Sequence, residues 1–363
     1  MITKLGSVIT EYSVRNKKDE DIPVYSVTNE QGFCTGYFSK DVASKDRTTY
    51  KIVPRGYFAY NPSRINVGSV DWQDCEDRVI VSPLYVVFGV DKKLDQQYLL
   101  HYLKSDITLT YIKALATGSV RDNLKFSVLR EFPINLHPID DQRKIAAVLD
   151  RVDRLIDLRK EELNALDNLV KSRFIELFGT YPDNPMGWET GTIRDIVTDV
   201  RYGSSRPAVE GGKYPYLRMN NITYGGELDL TDTKRIDIPK NELDKCTVRR
   251  GDVLFNRTNS KELVGKTCVY NRDEMMVLAG FVIRVRVTGR VLPEFLSAFL
   301  NTDFSKQMLL GMCKAAIGQA NINAQEMQNI GLYLPPIELQ RQFVQFKEQT
   351  DKSKLCGEME VAA

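Results

Sequence analysis

PIDDQRKIAAVLDRVDRLIDLRKEELNALDNLVKSRFIELF, residues 138–178, sets the plan of the chain. Its apolar residues Ile145, Leu149, Val152, Ile156, Leu163, Leu166, Val170 and Leu177 advance in alternating steps of four and three, the spacing of a heptad seam, with Phe174 beside it. Arg159 and Arg173 stand where the same register calls for apolar residues, and a charged core position usually fixes register or borders another partner. Pro138 with Asp140 and Asp141 predicts the helix start; Gly179 followed by Pro182 and Pro185 predicts its end. At about 1.5 Å per residue such a helix spans roughly 60 Å. That is a strut rather than an ordinary core helix.

The segment leading into the strut returns near the C-terminus. INLHPIDDQRK at 134–144 reappears as LYLPPIELQRQ at 332–342, matching Pro138 to Pro336, Ile139 to Ile337, Gln142 to Gln340 and Arg143 to Arg341. At nearly the same offset, Asn123-Leu124 matches Asn321-Ile322. The Val53 to Gly56 approach to Asn61 likewise matches the Val248 to Gly251 approach to Asn256, and Ile22-Pro23-Val24 matches Tyr214-Pro215-Tyr216. The chain is an internal tandem repeat, each unit a globular domain followed by a helix. We therefore expect a first domain at 1–137, a central helix at 138–179, a second domain at 180–334 and a C-terminal helix and tail at 335–363.

The fold class expected is α+β. Residues 1–90 alternate short runs rich in Val, Ile, Tyr and Phe with Gly, Pro and Asn turns, and 95–116 change to a helical period; residues 187–317 repeat that order. With 363 residues, 42% hydrophobic and 27% charged, the chain can bury two cores. Its six cysteines form no CxxC or CxxH spacing, and its N-terminus lacks a signal-peptide core, so a cytoplasmic protein without disulfide framework or zinc site is expected. A net charge of +2 is weak evidence about nucleic acid, because a binding face is a local concentration of cations.

Catalysis finds little support. The two histidines, His101 and His137, have no neighbouring nucleophile or carboxylate pair in sequence and read as packing or solvated positions. Asn61-Pro62-Ser63-Arg64 shares only its first two residues with the Asn/Asp-Pro-Pro-aromatic loop of amino-methyltransferases and reads as a turn. What stands out is a set of polar loops at matched places. The first domain carries Arg55 and the loop Tyr60, Asn61, Ser63, Arg64 and Asn66. The second carries Arg201, Ser204, Ser205 and Arg206; Arg218, Asn220 and Asn221; and Asn256, Arg257, Thr258, Asn259 and Lys261. Arg reaches guanine bidentately, Asn reaches adenine, and Ser, Thr and Lys serve phosphates.

This order of variable domain, Asn-Leu/Ile element, Pro-Ile-x-x-Gln-Arg helix start, heptad helix and repeat of the same elements resembles the specificity (S) subunit of type I restriction–modification systems. Gly187-Trp188-Glu189 with Ile193-Arg194-Asp195-Ile196 is similar to that family's entry into a recognition domain, and Thr117 to Leu124 to its exit. The resemblance implies two target recognition domains, each reading half of a bipartite double-stranded DNA sequence. It also implies helices packed as an antiparallel coiled-coil spacer, and tandem repeats so arranged acquire a pseudo-two-fold axis. It further implies no catalysis or cofactor in the chain itself. S-adenosylmethionine would belong to methyltransferase (M) subunits, expected to number two, that dock on the spacer; ATP and Mg would belong to restriction (R) subunits.

The sequence also predicts a second helix, from about Leu339 to Lys352, that is shorter than the first. Phe343 is its one apolar match to the seam, so the distal stripe of Leu163, Leu166, Val170, Phe174 and Leu177 is expected to lack intrachain cover. The competing reading is a non-catalytic scaffold whose heptad helix spaces two domains without binding nucleic acid.

Overall fold

A computed structural model describes residues 1–36, 47–115, 123–313 and 320–362, with the side chains of the last helix up to Lys354. Most of the exit segment, residues 117–122, lies outside the described residues. The chain divides into Met1–Asp157 and Leu158–Ala363, and the boundary falls inside the long helix rather than at its ends.

In the first unit, strands β1 (Ile9–Glu11), β2 (Phe58–Tyr60), β3 (Val70–Trp72) and β4 (Val86–Val90) form an antiparallel sheet in the order β1-β4-β2-β3. Phe58 and Phe88 face each other across β2 and β4 and their rings stack at 5.0 Å, the kind of cross-strand aromatic pair that favours extended backbone. Helices α1 (Gln96–Lys104) and α2 (Asp106–Leu115) cover this sheet through Leu99, Leu103 and Ile112, all buried. Where the sequence reads one helical stretch there are two, because Ser105 is extended and its hydroxyl accepts the Thr108 amide at 3.3 Å. Helix α3 (Ile139–Phe178) then begins the strut. His101 of α1 meets it, with Nε2 2.8 Å from Asp150 and Nδ1 3.7 Å from Asp153, a carboxylate pair that sequence distance hid.

The second unit repeats the plan. Strands β5 (Val197–Tyr202), β6 (Val253–Asn256), β7 (Thr267–Val269) and β8 (Val282–Val287) form an antiparallel sheet ordered β5-β8-β6-β7, the same arrangement as before. Helices α4 (Pro293–Asn301) and α5 (Asp303–Met312) break at extended Thr302, whose hydroxyl accepts the Ser305 amide at 3.3 Å. In each unit a short strand after the entry pairs antiparallel with the one before the spacer helix, Ile2–Lys4 with Pro133–Asn135 and Glu189–Thr192 with Gly331–Leu334.

Two expectations about the helices are corrected. Helix α6 runs from Ile337 to Ala362 rather than ending near Lys352, because a helix needs no apolar seam to continue once one face is anchored. The distal stripe of α3 is covered. Phe174 and Phe178 are buried with Phe343 and Phe295, at ring separations of 5.2 Å for Phe174–Phe343 and 5.0 Å for Phe178–Phe295, and Val170 and Leu177 are half-buried against the same core. Leu163 and Leu166 are also half-buried. Each buried ring contributes about 1.5–3 kcal/mol, enough to fix the helix pair. Farther along, Lys354 of α6 bonds Asp167 of α3, so the two helices run antiparallel. Arg173, at a seam position, pairs with Glu176 at 2.8 Å and lies 5.8 Å over the Phe346 ring, using its stem and charge together. The exposed apolar residues of α3 gather in its first half and middle, at Val148, Leu149, Val152, Leu155 (65% exposed) and Leu158, with Leu169 and Ile175 exposed beyond them. Ile145 and Ile156 are half-buried.

Candidate nucleic-acid interface

The second unit gathers its polar loops at one end of the sheet. All but one of the connections are backbone hydrogen bonds. Gly203 N donates to Val282 O (3.3 Å) and Ser204 N to Leu278 O (2.7 Å), while Gly280 N returns to Ser204 O (2.7 Å). Ala279 N donates to Leu217 O (2.9 Å), bringing in the 218–221 loop, and Arg257 N donates to Phe281 O (3.0 Å), bringing in the 256–261 loop. Lys266 Nζ joins Met219 O at 2.9 Å. Thus the three loops converge around the Ala279–Phe281 turn. Only glycine fits at 203, where a Cβ would lie 2.2 Å from Leu278 O.

The arginines of these loops differ in engagement. Arg201 binds Asp199 at 2.8 Å, Arg206 forks onto Glu242 at 2.7 and 3.2 Å, and Arg218 binds Asp232 at 2.8 Å. Lys234 together with Arg218 holds the carboxyl of Asp232, and Arg206 that of Glu242, below the usual carboxylate range, by hydrogen bonding and charge. Among the described residues, Arg257 meets no carboxylate: its guanidinium lies 4.9 Å over the Tyr202 ring and its Nε is buried without a partner. Tyr202 is itself fixed, its hydroxyl accepting from Ala324 N at 2.9 Å. Ser205, Asn220 and Lys261 are exposed, and Asn259 is half-buried with Oδ1 on Ser260 N at 2.8 Å.

Several expected readers are framework instead. Asn256 is fully buried, its Oδ1 accepting from Thr258 N at 3.1 Å while Nδ2 has no partner. Asn221 is spent on Arg218 N (2.8 Å) and Asp229 O (2.9 Å), Ser204 Oγ accepts from Arg206 N (3.2 Å), and buried Thr258 donates to Asn321 Oδ1 (2.9 Å). Short polar side chains favour such local bonds, which build loops rather than present groups to a partner.

In the first unit Asn61 repeats the Asn256 turn, its Oδ1 accepting from Ser63 N at 3.1 Å and from Ser63 Oγ at 2.9 Å. Leu124 N donates to Pro62 O (3.0 Å) as Ile322 N does to Arg257 O (2.9 Å), so the matched Asn-Leu and Asn-Ile elements close the same loop twice. Ser63 and Arg64 are exposed and Asn66 is half-buried. Tyr60 is fully buried and donates to Leu124 O at 3.1 Å, and burial pushes its phenol far up, so it belongs to the core. Arg55 lies at the other end of β2, where Gly56 N bonds Gln73 O; it binds Asp74 O at 2.8 Å and does not join the Asn61 loop.

Two exposed aromatics lie on this rim of the second unit: Tyr202, which the sequence placed in the Arg201–Arg206 loop but not among its readers, and Phe281, which sequence reasoning missed because it sits in a run that reads as strand. Their only signal was position, directly beside Gly203 and Gly280.

The sequence profile of the family described as type I restriction modification DNA specificity domain matches twice, at residues 6–168 and 185–356. The chain belongs to this family. Among its relatives is the type I restriction enzyme EcoKI specificity subunit of Escherichia coli K12, 24% identical over 279 residues that cover 72% of this chain and 60% of that one. The StySPI specificity subunit of Salmonella potsdam is 22% identical over 275 residues, covering 71% and 59%. This specificity-domain chain thus spans about three fifths of the length of these curated relatives. A solved chain from a type I R-M system studied for complex assembly and conformational transition matches with TM-score 0.58 and 19% identity, covering all of this chain and 93% of its own. The type I S subunit from M. genitalium matches with TM-score 0.53 and 15% identity, covering 100% and 92%. Both likenesses are of fold.

Proposed function

We propose that this chain is the DNA specificity subunit of a type I restriction–modification complex. The observation that carries the proposal is the duplicated family match laid over a duplicated turn, Asn61 in one unit and Asn256 in the other, from which unlike side chains emerge. Each unit would read one half of a bipartite double-stranded target, and because the loops differ the two half-sites should differ. Arg64 of the first unit and Arg257, Lys261, Ser205 and Asn220 of the second are the side chains placed to reach base edges or phosphates, while Ser63 is exposed but already bonded to Asn61. The relatives named above are specificity subunits, which supports a recognition role in which chemistry is left to partners. Two methyltransferase subunits carrying S-adenosylmethionine would dock on the helical spacer, and restriction subunits using ATP and Mg would join them. Among the described residues no helix is long and apolar enough to cross a membrane, which fits a cytoplasmic assembly.

Co-expression with the neighbouring methyltransferase subunit, followed by genome-wide mapping of methylated adenines, tests this reading. A motif with two unlike halves and a fixed gap is the expected result. A stable complex that methylates nothing, or methylation without a bipartite motif, would overturn it.

A further inference from the structure

Phe281 stands at the corner of a tight turn. Val282 N donates to Ala279 O at 3.0 Å, so Gly280 and Phe281 occupy the two central positions, and the phenylalanine is 52% exposed. A lone exposed phenylalanine on a soluble domain needs no explanation. This one is placed where the three polar loops meet, its carbonyl accepting from Arg257 N. Tyr202, 43% exposed, lies under the guanidinium of the same arginine. Arg257 is also the one guanidinium of these loops that meets no carboxylate among the described residues, and beside it Asn256 Nδ2 is a buried donor without a partner. The rim therefore offers an apolar ring and, beside it, a cation held over a second ring. A protein partner would be met by an apolar patch with a satisfied border; a base step presents stacked faces flanked by acceptors and phosphates.

Resting on the reading of the second unit as a DNA-recognition domain, the geometry points to Phe281 as an apolar wedge. It enters a single base step of the half-site read by that unit, while Arg257, braced by Tyr202, hydrogen-bonds the edge of a flanking base. Apolar side chains used this way partly unstack a step and bend the duplex, and pyrimidine–purine steps yield most readily. The second half-site should therefore carry a preferred TA or CA/TG step at a position that no hydrogen bond reads.

The test uses the full chain and a pool of random-sequence duplexes. Wild-type protein is expected to select a half-site containing a pyrimidine–purine step, and 2-aminopurine at that step should brighten on binding. Phe281→Ala should lose the brightening and bind the selected duplex about ten-fold or more weakly, with unselected duplex changed less than about two-fold and the salt dependence unchanged, because stacking is lost and no phosphate contact is. Phe281→Trp should keep the brightening. Thermal melting of Phe281→Ala should match wild type, since the removed ring is half in solvent. Wild-type affinity and brightening in Phe281→Ala, together with lost discrimination in Arg257→Ala, would overturn the wedge and leave the recognition reading standing. A wild-type chain that selects no duplex sequence would overturn both.

Discussion

Gln142 and Gln340 make the same three side-chain hydrogen bonds in the two units. Gln142 accepts from Asp95 N at 2.9 Å and donates to Lys93 O and His137 O, each at 2.8 Å. Gln340 accepts from Leu292 N at 2.8 Å and donates to Arg290 O at 3.2 Å and Pro335 O at 2.8 Å. Both are fully buried, so each ties the first turn of a spacer helix to the loop entering a helix of its own unit, α1 for Gln142 and α4 for Gln340. Replacement by leucine leaves one backbone donor and two acceptors buried without partners, at about 1–3 kcal/mol for each group left unsatisfied. Calorimetry should resolve the outcome: Gln142→Leu lowers one melting component and Gln340→Leu the other. Equal effects of either substitution on both components would contradict this division.

Lys306 gives a pH signature. Its ammonium donates to Gly265 O at 3.0 Å and lies 5.3 Å from the Tyr224 ring, and burial, with Lys266 adding its charge, pushes its pKa down to about 8. The unfolded chain, where this group keeps its ordinary value of 10.5, binds more protons between those two values. The stability of wild type relative to Lys306→Met should therefore rise with pH from about 8 to 10.5 and stay flat below that window. Paired denaturant titrations at several pH values check this, and a flat difference throughout would show the cation to be well solvated.

Arg257→Ala should relax discrimination at one position of one half-site by about 1–3 kcal/mol, with an unchanged salt slope, if the guanidinium reads a base. A uniform loss on all sequences, with a slope smaller by about 0.9, would mark a phosphate contact. Tyr202→Phe keeps the ring under the arginine and removes only the bond to Ala324 N, so it should retain discrimination that Tyr202→Ala loses.

The apolar residues exposed along α3 should report on partner docking. Glutamate at Val148, Val152 and Leu155 should abolish co-purification of the methyltransferase subunit while leaving the melting temperature within a few degrees, because these side chains leave no core contact behind. Retained co-purification would move the docking surface elsewhere.

Much of the architecture was legible because periodicity and repetition are properties of spacing. The distal heptad positions Val170 and Leu177, both spacer-helix starts, the matched Asn-Leu and Asn-Ile elements and the matched approaches to Asn61 and Asn256 have structural counterparts, whereas the seam positions Leu149 and Val152 are exposed. What spacing could not reveal was direction. Asn221, Asn256, Ser204 and Thr258 share the composition of exposed turns, but their side chains turn inward to hold their own backbones. Arg55 was close to Asn61 in sequence, yet an intervening strand carries it to the opposite end. The cover over Phe174 and Leu177 was hidden because part of it comes from α4, which the heptad pattern does not contain. Phe281 reads as a strand residue because the turn just before a strand can carry the same residue types as the strand itself.

The turn shared by Asn61 and Asn256 separates the path of each loop from its content. In both units an inward amide oxygen holds the backbone two residues on, so the course of the chain does not depend on the side chains displayed along it. Pro62-Ser63-Arg64 follows in one unit and Arg257-Thr258-Asn259 in the other, and both begin from the same bend. The molecule behaves as a fixed socket into which different inserts fit, and a new specificity can arise by substitution outside the socket without redesign of the fold that carries it.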